Sequence, residues 1–422
     1  MKVDVLVIGG GIIGASCAYY LQLEGREVCL IEREESICPA ACSTHENAGL
    51  ISPSGVYPLP HKGVLGQGLT WLLDSSSCFY IKPSLSPSLA SWLLRFAVAS
   101  RDKPMRRSMP VVRKLGVAAG ALYKDLDKAG LRGGYESNGI LNLFITESAY
   151  QDAIRDFEPL KVFDVKTEAV GREGVRERVP AALPGVVGGT YEPEESQCDP
   201  AAMTCELARL AGENGATILT QTEALDFTVA SRRITSVYTT RGSFEPITVV
   251  LAAGIWSRSL AKRLRLNLPL QPAKGYSITI PRPEGVPEHL PLYLSEPHIC
   301  VTPYGDELRL AGTLELSGLN YRVMENRVAG IRRGANEFLG GVKHSEPLRV
   351  WRGLRPLSPD GIPIIGLSPK QDNLVVATGH NMSGLMFGPI TGKLVAQMLT
   401  GQQPAVDLEP FRVDRFSATL TL

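Results

Sequence analysis

Long apolar runs, net charge and paired cysteine spacings are all scarce in this 422-residue chain. No stretch of about 20 apolar residues runs free of charge, so no transmembrane helix is predicted. Lys plus Arg number 44 against 43 Asp plus Glu, a net charge of +1. That balance argues against nucleic acid as a partner, because phosphate binding needs a basic face. The densest basic stretch, Arg101 to Arg107, is short and interrupted by Pro104. The eight cysteines have no disulfide-framework spacing. Cys38 and Cys42 form an isolated C-x3-C with no second pair and no histidine cluster, so free thiols in a reducing compartment are expected and a metal site is not. Asp4 interrupts the apolar N-terminus, which reads as folded sequence rather than as a signal peptide, and a cytoplasmic location is expected. Internal repeats and low-complexity segments are missing too.

What is present is an ordinary globular composition, 44% hydrophobic and 21% charged, in a chain long enough for more than one domain. Glycine stands out, at 42 residues. Three of them follow an apolar strand, residues 3–8, in the series Gly9-x-Gly11-x-x-Gly14. A helical stretch comes next, then a second strand, Val28 to Ile31, which ends in Glu32. A strand–glycine loop–helix–strand unit closed by an acidic residue is the pattern of a dinucleotide site. In it, Gly9 allows the turn, Gly11 lets backbone N–H groups approach a pyrophosphate at the helix N-terminus, and Gly14 permits close helix–strand packing. Glu32 accepts from ribose hydroxyls.

Further along, Leu89, Trp92, Leu93, Phe96 and Ala97 share one helical face. Helices are predicted at 112–129, 148–157, 201–212 (with Asp199-Pro200 as its start), 322–339 and 384–399. Strands are predicted at 139–145, 217–219, 224–228, 234–239, 247–251 and 373–378. The last strand runs into Thr378-Gly379-His380 and a helix beginning at Gly384. A second glycine-rich junction, far along the chain from the first, suits FAD rather than NAD. It supplies a contact for an isoalloxazine, and its helix N-terminus favours negative charge on the reduced ring.

With both ends in view, the chain resembles the flavin-dependent D-amino-acid oxidase/dehydrogenase superfamily, and within it the bacterial D-amino-acid dehydrogenase small subunit. The matching stretches are Val7 to Gly14, Asn47 to Pro53, Trp71-Leu-Leu73, Lys274 to Ser277, Trp351 to Pro356, Pro359 to Gly366 and Thr378 to His380. The resemblance implies an α/β architecture of the glutathione-reductase-like, D-amino-acid-oxidase type. A Rossmann-type FAD-binding domain (1–75, 196–258, 345–422) would be joined to a discontinuous antiparallel-sheet substrate domain (76–195, 259–344). It also implies non-covalent FAD, since no cysteine lies near Gly353, where some relatives attach flavin.

Carried over by position, Gly9, Gly11, Ile12, Ile13, Gly14, Glu32 and Arg33 would hold the ADP half. Ser43 to Leu50, including Asn47, Ala48 and Gly49, would follow the ribityl chain and flavin edge, and Ala224 would meet the adenine end. Gly353 and residues 379–386, including Gly379, Gly384, Leu385 and Met386, would line the isoalloxazine, and Ala253 and Gly254 complete the set around the cofactor. Arg355, in Gly-Leu-Arg-Pro, would grip a substrate carboxylate through its planar fork; the competing structural reading is a salt bridge to Asp360. Tyr276, His380 and His45 are further catalytic candidates, with His298 and Tyr304 nearby in rank.

Departures from the family pattern are Asn381-Met382-Ser383, where one branch carries a basic residue, and His45-Glu46 before Asn47. The implied reaction is oxidative deamination of a D-amino acid to a 2-oxo acid by hydride transfer from Cα to flavin N5. Electrons would pass to a quinone or to oxygen. Alternatives are oxidation of glycine, sarcosine, an opine or D-hydroxyproline, or a non-catalytic FAD-binding subunit. The apolar stretch from Val64 to Val98 is a candidate for peripheral membrane contact or an oligomer contact.

Overall fold

The strand Lys2–Ile8 is the centre around which the first half of the fold is built. The chain is described from a computed structural model, over residues 1–61 and 78–417. The Trp71-Leu-Leu73 match and the first part of the 64–98 stretch lie outside the described residues. Lys2–Ile8 pairs in parallel with Val28–Ile31 on one side and Gly242–Leu251 on the other. Thr217–Leu219 extends the sheet beyond Val28–Ile31, and Leu374–Thr378 adds beyond Gly242–Leu251, both in parallel. Val28–Ile31 is buried throughout, which is why it reads as a continuous apolar run rather than an alternating one. Ala224–Ala230 and Arg233–Thr239 form an antiparallel extension of this sheet.

Helix Ile12–Leu23 covers one face, packed between helices Gly384–Thr400 and Pro200–Glu213. The latter starts as its sequence predicts: Asp199 accepts from the Ala202 N–H at 2.9 Å, and Pro200 occupies the first turn.

A second sheet runs in the order Arg349–Leu357, Gln271–Pro281, Glu307–Leu316, Ile299–Tyr304, Leu292–Leu294, Ile140–Phe144, Gly188–Glu192, Glu168–Gly171. It is mixed rather than purely antiparallel. Leu292–Leu294 pairs in parallel with Ile140–Phe144, and Phe79–Ile81 in parallel with Glu307–Leu316. Arg349–Leu357 hydrogen-bonds along Gln271–Pro281, so this strand joins the second sheet although it lies beyond the boundary expected at 345.

Helix Asp102–Lys128 begins ten residues before its predicted start and contains Pro110. A proline there removes a backbone bond, but the helix continues because Met109, Val112, Leu115, Leu122 and Tyr123 are buried along one face. Leu89, Trp92 and Phe96 of helix Pro87–Ala99 pack against Leu316 and Leu357. Their apolar face is therefore spent on the interior. Among the described residues, no helix is long and apolar enough to cross a membrane.

Candidate active site

A cleft opens at the C-terminal ends of the parallel strands, between the glycine loop and the start of helix Gly384–Thr400. Gly9, Gly11, Ile12 and Ile13 line it near the first helix. The Gly11 N-cap contributes no capping side chain, and the first turn holds no acidic residue, so the helix N–H groups face the cleft free of internal anions. Gly14 does not line the cleft. Its Cα packs against the Gly9 carbonyl so closely that any Cβ would collide with it.

Glu32 lines the cleft with its carboxylate already fixed: Oε2 accepts from the Gly10 N–H at 2.6 Å and Oε1 from the Glu34 N–H at 3.0 Å. Arg33 stacks on Trp256, 4.0 Å from the ring centroid, and Ala224 lies beside them. Ser43, Asn47, Ala253 and Gly254 form the middle of the cleft; Gly384, Leu385, His380 and Arg355 form its far end. Helix Gly384–Thr400 likewise has neither a capping side chain nor an acid in its first turn.

Arg355 also lines a second cavity of about 620 Å³, which lies on the second-sheet side. Asn47, Met382 and Leu385 are shared with the first, so the two spaces meet there. Ala48, Leu50 and Met386, expected at the cofactor, line this second cavity only. Trp92, Phe96, Leu316 and Leu357 give it apolar walls. Besides Gly14, three more glycines expected at the cofactor line neither space: Gly49 backs onto Cys198 and Tyr304, Gly353 onto Trp351 and Ser43, and Gly379 onto Leu270 and Ile364.

The Arg355 guanidinium donates from Nη1 to the Thr313 carbonyl at 2.8 Å. Burial pushes its pKa down, with the Cys300 thiol acting in the opposite direction. No carboxylate pairs with it among the described residues. Asp360 is held instead by Arg415, at 2.8 and 3.1 Å, so the salt bridge that competed for Arg355 does not form.

Three of the predicted catalytic side chains sit differently from expectation. Tyr276 lines neither cavity. It is 1% exposed and donates to Glu315 Oε2 at 2.7 Å, within a buried network in which Lys274 Nζ meets Glu315 at 3.1 Å. Burial and the Glu315 carboxylate both raise its pKa. Strand alternation explains the misplacement: Tyr276 and Gly275 are neighbours in one strand, and Arg355 lies on the Gly275 face. His45 also lines neither cavity; its Nδ1 is 2.7 Å from the Cys38 carbonyl. His380 does line the cleft, but it is buried and bonded to Thr391 Oγ1 at 3.0 Å, and burial pushes its pKa down to about 3. It is therefore neutral near pH 7. Of the other two candidates, His298 lines the second cavity beside Tyr293, at 2.7 Å, while Tyr304 lies away from both and donates to Cys198.

Sequence reasoning missed several groups. Trp256 lines the cleft. Glu192 and Glu195 line the second cavity. Ser54 donates its hydroxyl to Glu192, and its backbone N–H to Glu195 at 2.9 Å. Burial, reinforced by Glu192, pushes the Glu195 carboxyl up to about 8. None of these has a local sequence signal; only the tertiary fold brings them to a cavity.

A βαβ unit whose glycine loop opens one end of a long cleft, with a second uncapped helix N-terminus at the other end, defines an FAD-dependent oxidoreductase. The two uncapped helix ends and the carboxylate at the second strand fit the pyrophosphate, the flavin ring and the ribose of FAD.

The chain belongs to that family: the model of the DAO family, FAD dependent oxidoreductase, matches residues 4–398. A D-amino acid dehydrogenase from Bradyrhizobium diazoefficiens is 32% identical over 424 residues, covering 98% of this chain and 99% of that one. Another D-amino acid dehydrogenase, from Granulibacter bethesdensis, is 29% identical, covering 98% and 99%. Among solved structures, a glycine oxidase from Geobacillus kaustophilus superposes with a TM-score of 0.78 at 23% identity, covering 98% of this chain and 99% of that one. An L-proline dehydrogenase from P. horikoshii superposes at 0.77 with 20% identity, covering 99% and 98%. These two show the fold.

Proposed function

We propose that the chain oxidatively deaminates D-amino acids to 2-oxo acids, with the substrate carboxylate held by Arg355. The observation that carries this is the position of Arg355: a guanidinium with no carboxylate partner among the described residues, at the meeting point of the cofactor cleft and an apolar cavity. A charge held without an anionic partner in an apolar setting is costly, and a planar carboxylate answers its fork geometry. A cavity of about 620 Å³ has room for a side chain larger than that of glycine. The relatives named as D-amino acid dehydrogenases span nearly the same length, which supports the same substrate class.

FAD, when bound, supplies the two-electron acceptor. This chain's residues would do the rest by placement. Gly9, Gly11 and the first helix hold the pyrophosphate, Glu32 and Arg33 hold the adenosine end, and helix Gly384–Thr400 directs its N–H groups at the flavin end. Arg355 fixes the carboxylate and so orients Cα, while Trp92, Phe96 and Leu357 keep water from the reacting bond. His380, neutral and bonded to Thr391, packs the cleft floor rather than carrying a proton.

The test is anaerobic: purified holoenzyme is mixed with a panel of D-amino acids, their L-enantiomers, glycine and sarcosine, and the flavin absorbance is followed. Bleaching by D-amino acids is expected. Bleaching by glycine or sarcosine alone would replace the substrate class, and no bleaching by any of them would overturn the reading.

A further inference from the structure

Strand Glu307–Leu316 carries one residue too many where it passes the site. Lys274 faces Glu315 and Tyr276 faces Gly312, so two steps on one strand match three on the other. The surplus is a bulge over Thr313 and Leu314. Thr313 takes φ +68° there, a conformation that a β-branched residue adopts only when its surroundings impose it. Both sides of the bulge are pinned. The Leu314 N–H donates to the Cys78 carbonyl at 2.6 Å, and the Thr313 carbonyl accepts from Arg355 Nη1 at 2.8 Å.

The left-handed turn has a second consequence. Thr313 lines the same cavity as Arg355, and among the described residues its hydroxyl is enclosed with no hydrogen-bond partner. A buried hydroxyl without a partner is disfavoured, and enclosed polar groups are nearly always satisfied. Nη1 of Arg355 is occupied by the Thr313 carbonyl, which leaves Nη2 and Nε for a ligand. A carboxylate offers about four lone-pair sites, enough to accept from those nitrogens and from a neighbouring hydroxyl together.

We propose that Thr313 is a second substrate-binding residue, whose carbonyl fixes Arg355 and whose hydroxyl donates to the carboxylate that Arg355 holds. This rests on the D-amino acid reading above. The strained backbone is then part of the site: it turns the carbonyl toward the guanidinium.

The test uses FAD-loaded holoenzyme and the D-amino acid that reduces the parent flavin fastest. Substrate Kd and limiting reduction rate are separated by stopped-flow. Thr313→Gly removes the hydroxyl and accepts the left-handed backbone without strain, so it keeps the fold. Thr313→Val removes the hydroxyl at nearly constant shape, and Thr313→Ser restores it. Loss of a hydrogen bond to a charged group is expected to weaken Kd on the order of 10- to 100-fold in the Gly and Val variants. The limiting rate should stay within about threefold, and Ser should return Kd near the parent value. Should the Val variant fail to hold flavin, the Gly variant decides alone. Parent-like Kd in Thr313→Gly, or no rescue by Ser, overturns the proposal. A parent that no amino acid reduces overturns the reading beneath it as well.

Discussion

The guanidinium of Arg355 lies across Gly275 of the neighbouring strand, at the spot where any Cβ on residue 275 would overlap Cζ and both terminal nitrogens. The two strands are in register, with Ala273 facing Arg355 and Gly275 facing Gly353, so the arginine reaches diagonally over the one position that has no side chain. Gly275→Ala is therefore expected to displace the fork while leaving the cofactor cleft intact. Substrate Kd should rise roughly 10- to 100-fold, by loss of a charge-assisted contact, with flavin content unchanged. Rapid-reaction titration together with the flavin-to-protein ratio checks it; a parent-like Kd would show that the side chain has room elsewhere.

Gly14→Ala acts at the other end. Its Cβ would drive into the Gly9 carbonyl, so helix Ile12–Leu23 must shift away from the loop. Overpacking of this kind costs about 1–3 kcal/mol. The variant should lose bound FAD and melt several degrees lower, as read by flavin content and thermal unfolding. Full flavin occupancy would contradict the close packing.

Glu195 gives a pH signature. Its carboxyl is pushed up to about 8 in the folded protein, by burial first and by Glu192 second, against an unfolded value of 4.5. The folded state thus holds a proton that the unfolded state releases. The resulting stabilisation is fully present below the unfolded value and is lost as pH rises through about 8. Glu195→Gln, neutral at every pH, should flatten the fall of Tm across that window and melt above the parent at its alkaline end. Parallel Tm-versus-pH curves would count against a protonated Glu195.

His380 works in the opposite direction. Burial pushes it down to about 3 from 6.5, so the unfolded chain takes up a proton that the folded chain refuses. Stability present above about 6.5 is lost as pH falls toward 3. His380→Asn should lessen that acid sensitivity. If His380 instead titrates in the active range, the parent pH–rate profile will carry a limb near 6.5 that the variant lacks.

Much of the nucleotide half was legible because its signals are local. An apolar strand, the glycine loop, an apolar helix and Glu32 follow one another within about thirty residues, and a parallel strand buried on both faces reads as an unbroken apolar run. The family resemblance singles out Arg355, and the fold places it on the lining of both cavities. Thr313 was not legible, because its left-handed turn comes from a bulge set by pairing with residues 274–276, nearly forty positions away. Tyr276 falls on the face away from Arg355 for a related reason: period-two alternation places it opposite Gly275, but which face meets Arg355 depends on the register with the strand at 349–357. Glu192 and Glu195 stand in a short acidic run without a motif around them, and tertiary packing, with the Ser54 N–H on the carboxylate, encloses Glu195.

The most direct measurement is the anaerobic reduction of the holoenzyme flavin by D-amino acids in the parent and in Arg355→Lys. Lysine keeps the positive charge but lacks the planar fork. The ratio of reduction rate to Kd is expected to fall roughly 100- to 1,000-fold with FAD still bound. Undiminished reduction in Arg355→Lys and in Arg355→Ala would contradict a carboxylate held at this residue.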